Sequence, residues 1–251
     1  MTDHSSNPEC TILEGDCLEE MRGLETGSFD LVYLDPPYCT GKVHRGAESS
    51  FDDRWDTLDA YLEFMTARLT EIHRLLGEKG SILLHCDWRT SHRLRVILDE
   101  IFGSERFVNH LIWQYGLGGS SPRTFARKHD DILFYARGPE WWFEAPRVPA
   151  TSNRMAGMTK KATDVLDVPA LNNMAKERNG WPTQKPLALL EMLIKACCPP
   201  SGRVLDPFCG SGTTLIAALN TGRNAMGIDR NPDAVRLSRE RADARSVPLR
   251  G

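Results

Sequence analysis

The chain has 251 residues, 41% hydrophobic and 26% charged, values that allow one large globular domain or one domain with a modest insertion. It contains no run of 18 apolar residues, which argues against a membrane-spanning helix. With a net charge of −3 and a pI near 6.2 it lacks a general positive coating, so any surface for nucleic acid must be local.

Taken in chain order, "MTDHSSNPEC" has neither an apolar stretch nor a basic leader, and a cytoplasmic location is expected. "FDLVYLD" (Phe29–Asp35) reads as a buried strand ending on an acid, and Pro36, Pro37 and Tyr38 follow at once. Two prolines in a row remove two backbone donors and stiffen the chain where a charge and a ring meet. From Leu58, apolar residues recur at Leu62, Met65, Leu69, Ile72 and Leu76, the spacing of an amphipathic helix. "SILLHCD" (Ser81–Asp87) predicts a strand, Arg93–Phe102 a helix, and Asn109–Tyr115 and Asp130–Arg137 two more strands. Gly138 to Gly180 is rich in Pro, Thr, Met and basic residues without a clean period, and reads as an inserted subdomain or a partly mobile segment. Pro186–Cys198 returns to a helical period, with Leu187, Leu190, Ile194 and Cys197 on one face. "RVLDPF" (Arg203–Phe208) and "NAMGIDR" (Asn224–Arg230) are strands, each followed by a helix, the second capped by Asn231 with Pro232 in its first turn. This alternation predicts an α/β fold with a largely parallel sheet.

The seven cysteines are odd in number and form no C-x-x-C pair, so reduced thiols are expected rather than disulfides or a zinc site. "DPFCGSGTT" (Asp206–Thr214) places Gly210 and Gly212 between a strand and a helix, where glycine permits a sharp turn and a close ligand approach. Asp229 ends the next strand, a position suited to ribose hydroxyls. The third glycine of the dinucleotide fingerprint is missing, and there is no Walker lysine.

Together, "DPPY" (Asp35–Tyr38), "DPFCGSGTT", "PTQKP" (Pro182–Pro186), "GDCLEEM" (Gly15–Met21) and "HDDILFYAR" (His129–Arg137) resemble the motifs of the DNA methyltransferases that methylate base amines with S-adenosylmethionine. The catalytic motif precedes the cofactor motif, an order similar to the beta class, and the resemblance spans residues 11 to 242. It implies a Rossmann-like methyltransferase fold, mostly parallel, with permuted motif order. Residues 11–137 would form the catalytic half, 138–180 a target-recognition insert and 181–245 the cofactor half. Asp35, Pro36, Pro37 and Tyr38 are then the catalytic residues. Asp16, Cys17, Lys185, Asp206, Phe208, Gly210, Gly212, Thr213 and Asp229 are the cofactor residues, with Lys185 directed at the cofactor's carboxylate. No metal is expected. The partner is double-stranded DNA, with a homodimer and a cognate restriction enzyme as further expectations. Arg123, Arg127, Lys128, Lys160 and Lys161 are the DNA-binding candidates, and with Trp141, Trp142 and Phe143 they suit phosphate contact plus stacking.

For several residues the sequence leaves alternatives open. Phe51, Asp52, Asp53 and Trp55 form either a loop over the base or a plain surface loop, while His85 and Cys86 read as core. Trp181 stands where the family often has histidine. "DPPY" favours adenine N6 over cytosine N4 as the target, and a catalytically silent DNA-binding relative is the alternative of another class.

Overall fold

The computed structural model describes residues 7–45, 50–116, 122–150, 154, 157–172, 175 and 177–246. At its centre is an eight-stranded sheet. The strands are β1 (Cys10–Glu14), β2 (Phe29–Leu34), β5 (Leu76–Cys86), β6 (Phe107–Gln114), β7 (His129–Ala136), β10 (Val165–Asp167), β11 (Arg203–Asp206) and β12 (Asn224–Asp229). Their order is β1-β12-β11-β2-β5-β7-β6-β10. The first five run parallel, β7 is antiparallel to both of its neighbours, and β10 is parallel to β6. Two short hairpins stand apart from it: β3 (Lys42–Arg45) with β4 (Ser50–Asp53), and β8 (Arg147–Pro149) with β9 (Thr159–Lys161).

The period of two along β2 builds a three-layer molecule. Val32 and Leu34 face a core shared with α1 (Cys17–Arg22), α2 (Leu58–Leu75) and α3 (Ser91–Phe102). Leu31 and Tyr33 face a second core, shared with α4 (Leu187–Cys197) and α5 (Thr213–Asn220). Because both faces are covered, the last four residues of β2, Leu31–Leu34, are all buried without alternation, as expected of a central parallel strand. The helix read from Leu58 forms as α2, started by the Thr57 hydroxyl accepting the Ala60 N–H at 3.1 Å. The last helix, α6 (Pro232–Ser246), begins where the Asn231 side chain accepts the Asp233 N–H at 2.9 Å.

Two sequence readings are revised. Leu76, counted with the helix, is the first residue of β5, which reaches back five residues beyond Ser81 to pair Leu76 with Phe29. The 138–180 segment, read as an insert without period, contributes β8, β9 and β10, and β10 extends the main sheet beside β6. Three-residue strands are too short to show a period, which is why they were not seen. Among the described residues no helix is long and apolar enough to cross a membrane, and no cluster of three or more His, Cys, Asp or Glu could hold a metal. The seven cysteines are unpaired.

Candidate active site

The parallel strands all end at one edge of the sheet, and the segments leaving four of them line a cavity of about 520 Å³. That edge is where open α/β sheets bind ligands. Gly15–Cys17 follow β1, Asp35–Tyr38 follow β2, Asp206–Thr214 follow β11 and Asp229–Pro232 follow β12. Asp35 and Asp206, 171 positions apart in the sequence, thus face the same space.

Asp35 is held from two sides. One oxygen accepts the Tyr38 hydroxyl, and the other is paired with the Lys185 ammonium. Lys185 also stands 5.4 Å from the centre of the Tyr38 ring. The lysine expected at the cofactor's carboxylate is therefore found on the D-P-P-Y carboxylate. Tyr38 is stacked on His85, with ring centroids 6.0 Å apart and planes 25° from parallel. Burial, with the neighbouring Asp35 charge, pushes the Tyr38 hydroxyl well above its usual range and keeps it a donor. His85 is fully buried, as the sequence reading had it, but it is more than filler. It bonds the Tyr33 hydroxyl through Nδ1 at 2.8 Å and Asp130 through Nε2 at 3.2 Å, and Asp130 also accepts the Tyr115 hydroxyl at 2.9 Å. Tyr38 thus rests on a polar network spanning β2, β5, β7 and the residue that follows β6.

The chain after Tyr38 is fixed by Asp53. This buried carboxylate accepts the N–H groups of Cys39 and Thr40, each at 2.9 Å, and the Thr40 hydroxyl at 2.6 Å. Phe51, Asp52, Asp53 and Trp55 all line the cavity, the first three from β4 of the hairpin. The Asn231 amide donates to the Ser50 carbonyl at 3.2 Å and ties that hairpin to the segment after β12.

At the other end, Asp206 is buried and accepts the Phe208 N–H at 3.0 Å; burial pushes its carboxyl up to about 7. Gly210 has φ +49° and donates its N–H to Asp229 at 2.9 Å; the second Asp229 oxygen accepts from Asn231 at 2.8 Å. Burial also raises the Asp229 carboxyl. Gly212 has φ +76°, and a Cβ there would stand 2.7 Å from the Ser238 hydroxyl of α6. Its glycine requirement comes from backbone conformation and packing, and it is the one cofactor candidate that does not line the cavity. Asp16 caps α1 by accepting the Leu18 N–H at 2.8 Å, and Arg68 donates to its other oxygen at 2.6 Å and to Cys17 Sγ at 3.2 Å.

Arg68 escaped the sequence reading. It comes three residues after Met65 and four before Ile72, on the apolar face of α2, where a cation needs a buried partner. Its guanidinium also lies 3.4 Å from the Phe64 ring centre, and both residues line the cavity. Trp181 was weighed only as a departure; its indole borders Gly210. The residues fit S-adenosylmethionine: Phe64 and Phe208 give the cavity an aromatic surface for a purine, Asp16 and Asp229 offer acceptors for hydroxyl or amino groups, and the turn at Gly210 lets a ligand approach the backbone.

The DNA candidates come from two different elements. Arg123, Arg127 and Lys128 precede β7, whose first residues pair with the ends of β5 and β6, so they lie at the cavity edge. Lys160 and Lys161 belong to the separate β8–β9 hairpin. Trp141 and Trp142 share a hollow with Asp30, Lys79 and Pro199, near the beginnings of β2 and β5 and away from the cavity edge.

A family model described as DNA methylase matches residues 29–240. The chain is 30% identical to the type II methyltransferase M.HpaI of Haemophilus parainfluenzae, covering 90% of this chain and 72% of the relative. It is 26% identical to the DNA adenine methyltransferase YhdJ of Escherichia coli (strain K12), covering 96% and 85%. Among solved structures, the M1.HpyAVI–SAM complex superimposes with a TM-score of 0.63 at 22% identity, covering 92% of this chain and 99% of that one. The cytosine-N4-specific PvuII DNA methyltransferase superimposes with a TM-score of 0.73 at 14% identity, covering 98% and 89%. At these identities the two structures speak for the fold.

Proposed function

The chain belongs to the DNA methylase family, S-adenosylmethionine-dependent enzymes that methylate exocyclic base amines, and we propose that its target is N6 of adenine in duplex DNA. The observation that carries this reading is the Asp35 carboxylate, oriented by Tyr38 and Lys185 inside the cavity that also holds the glycine turn. A base amine is a poor nucleophile because its lone pair is delocalised into the ring. Acceptors fixed beforehand favour the form in which that lone pair is free. Asp35 supplies one acceptor and the Pro36 carbonyl a second, with Pro37 stiffening the segment. Tyr38, backed by His85, gives the base a stacking face. A base paired in the duplex cannot reach this cavity, so it is extruded first. The bound cofactor supplies the methyl group as an electrophilic sulfonium.

For the cofactor residues we assign the ribose hydroxyls to Asp229, the turn with Phe208, Gly210 and Thr213 to the flanking part of the ligand, and the purine end to Asp16 and Cys17. Arg68 keeps Asp16 in place. Lys185 is assigned to Asp35. The likeness to an adenine methyltransferase and the carboxylate in the first motif position both support adenine. The test is to methylate plasmid DNA with labelled cofactor, digest it and separate the nucleosides. N6-methyladenosine as the labelled deoxynucleoside is expected; labelled N4-methylcytosine would overturn the base assignment, and no label would overturn the activity.

A further inference from the structure

At the end of β5, beside the residues that follow the D-P-P-Y motif, a tryptophan carries two arginines. Trp88 is 45% exposed. The Arg127 guanidinium lies 4.0 Å from its ring centre and that of Arg89 4.9 Å. The turn beneath is rigid. Asp87 accepts the Arg89 N–H at 2.9 Å and pairs with the Arg89 guanidinium, and its carbonyl accepts from Thr90 at 3.2 Å and Ser91 at 3.0 Å. Asp87 and Arg89 are close enough to act electrostatically on Cys39, the residue after Tyr38. Arg127 arrives from the segment Pro122–Lys128, which contains Arg123, Arg127 and Lys128 and no acid. Among the described residues no carboxylate is paired with Arg127, whereas the chain as a whole is net negative.

We infer that Trp88 is the platform of a DNA-docking surface, presenting Arg127 to the duplex phosphates that flank the extruded base, while Arg89, paired with Asp87, stiffens the turn that carries the ring. A guanidinium lying on a ring uses its face for the aromatic contact and keeps its in-plane N–H donors for phosphate oxygens. Stacking also holds two long side chains in place before DNA arrives, which lowers the entropy lost on binding. Such contacts set the register of the duplex on the protein without reading sequence. Their place at the cavity edge suits a protein that must grip the backbone next to the base it removes. The exposed Phe125, on the same segment as Arg127, adds an apolar side chain at this surface.

The inference rests on the proposed DNA reading, and the experiment separates the two. Binding of a labelled duplex that the wild-type protein methylates is followed by fluorescence anisotropy over a series of salt concentrations, beside steady-state kinetics and calorimetry of the cofactor. Arg127→Ala is expected to weaken duplex binding about tenfold, the scale of one lost charge-assisted contact. Its log–log salt slope should become shallower by about one. Trp88→Ala should raise KM for the duplex with kcat and cofactor affinity unchanged, and Trp88→Phe should recover most of the loss. Both variants binding duplex with wild-type affinity and slope would overturn the docking surface while leaving the activity standing. A wild-type protein that neither binds nor methylates any duplex would remove the functional reading and this surface together.

Discussion

Asp35 accepts from Tyr38 with one oxygen and from Lys185 with the other, so the two ends of this carboxylate can be probed separately. Asp35→Ala should reduce single-turnover methyl transfer by a factor of about 100 or more, the scale of losing one preorganised electrostatic group. Its cofactor affinity, measured by calorimetry, should stay close to wild type, because Asp35 leaves the backbone of the 206–214 turn untouched. Methylation by Asp35→Ala at the wild-type rate would refute the clamp. Lys185→Gln tests the second contact. Because the ammonium is on Asp35, the rate should fall by a larger factor than the cofactor affinity does. The reverse pattern, affinity lost and rate kept at saturating cofactor, would return Lys185 to the cofactor's carboxylate. His85 offers a third probe. His85→Ala removes the ring behind Tyr38, leaves the buried Tyr33 hydroxyl without its partner and leaves Asp130 with Tyr115 alone. It should raise KM for DNA more than Tyr38→Phe does, since the phenylalanine keeps a stacking face.

Elements in the sequence differ in how much of their role they announce. The β11–α5 connection was legible because its requirement is local: Gly210 and Gly212 take positive φ, and Asp206 lies next to the turn it supports. The same locality makes it testable. Gly212→Ala would hold alanine at φ +76° and set its Cβ 2.7 Å from the Ser238 hydroxyl. Equilibrium denaturation should show a loss of about 1–3 kcal/mol, the cost of a strained backbone position; unchanged stability would mean that α6 yields easily. The β3–β4 hairpin was not legible, since its two strands are four residues each and largely polar, and Asp53 looks like a surface acid until its three partners at Cys39 and Thr40 are seen. β10 was missed for the same reason, at three residues. Lys185 and Asp35 are 150 residues apart, and Trp88 meets Arg127 only because β7 runs antiparallel to β5. Pairings of that kind belong to topology and leave no trace in spacing. Arg68 is intermediate: a cation on an apolar helix face signals a partner without naming it.

The molecule as a whole gathers carboxylates at one edge, since β11 and β12 end there on an acid and Asp35 directly follows β2. Asp206 bears the consequence. Burial is the main cause that pushes its carboxyl from 3.8 to about 7, and the charges of Asp35 and Asp229 add to the rise. In the unfolded chain this group ionises near 3.8, so between that pH and about 7 the native state holds a proton that the unfolded state has lost. Extra native protons mean that the free energy of unfolding falls as pH rises through this window, and the contribution is gone above the folded pKa. Other groups titrate over the same range, and Asp206→Asn isolates this one by fixing a neutral side chain of the same shape. Near pH 4 the gap should be at its smallest, because the wild-type carboxyl is neutral in the fold and only about half ionised in the unfolded chain. With rising pH the wild type should lose stability relative to Asp206→Asn, and the gap should stop widening above about pH 7. Urea unfolding of both proteins at intervals from pH 4 to 8 measures that gap directly. A gap independent of pH would show that Asp206 is ionised throughout, and that the buried edge of the cavity is wetter than its packing implies.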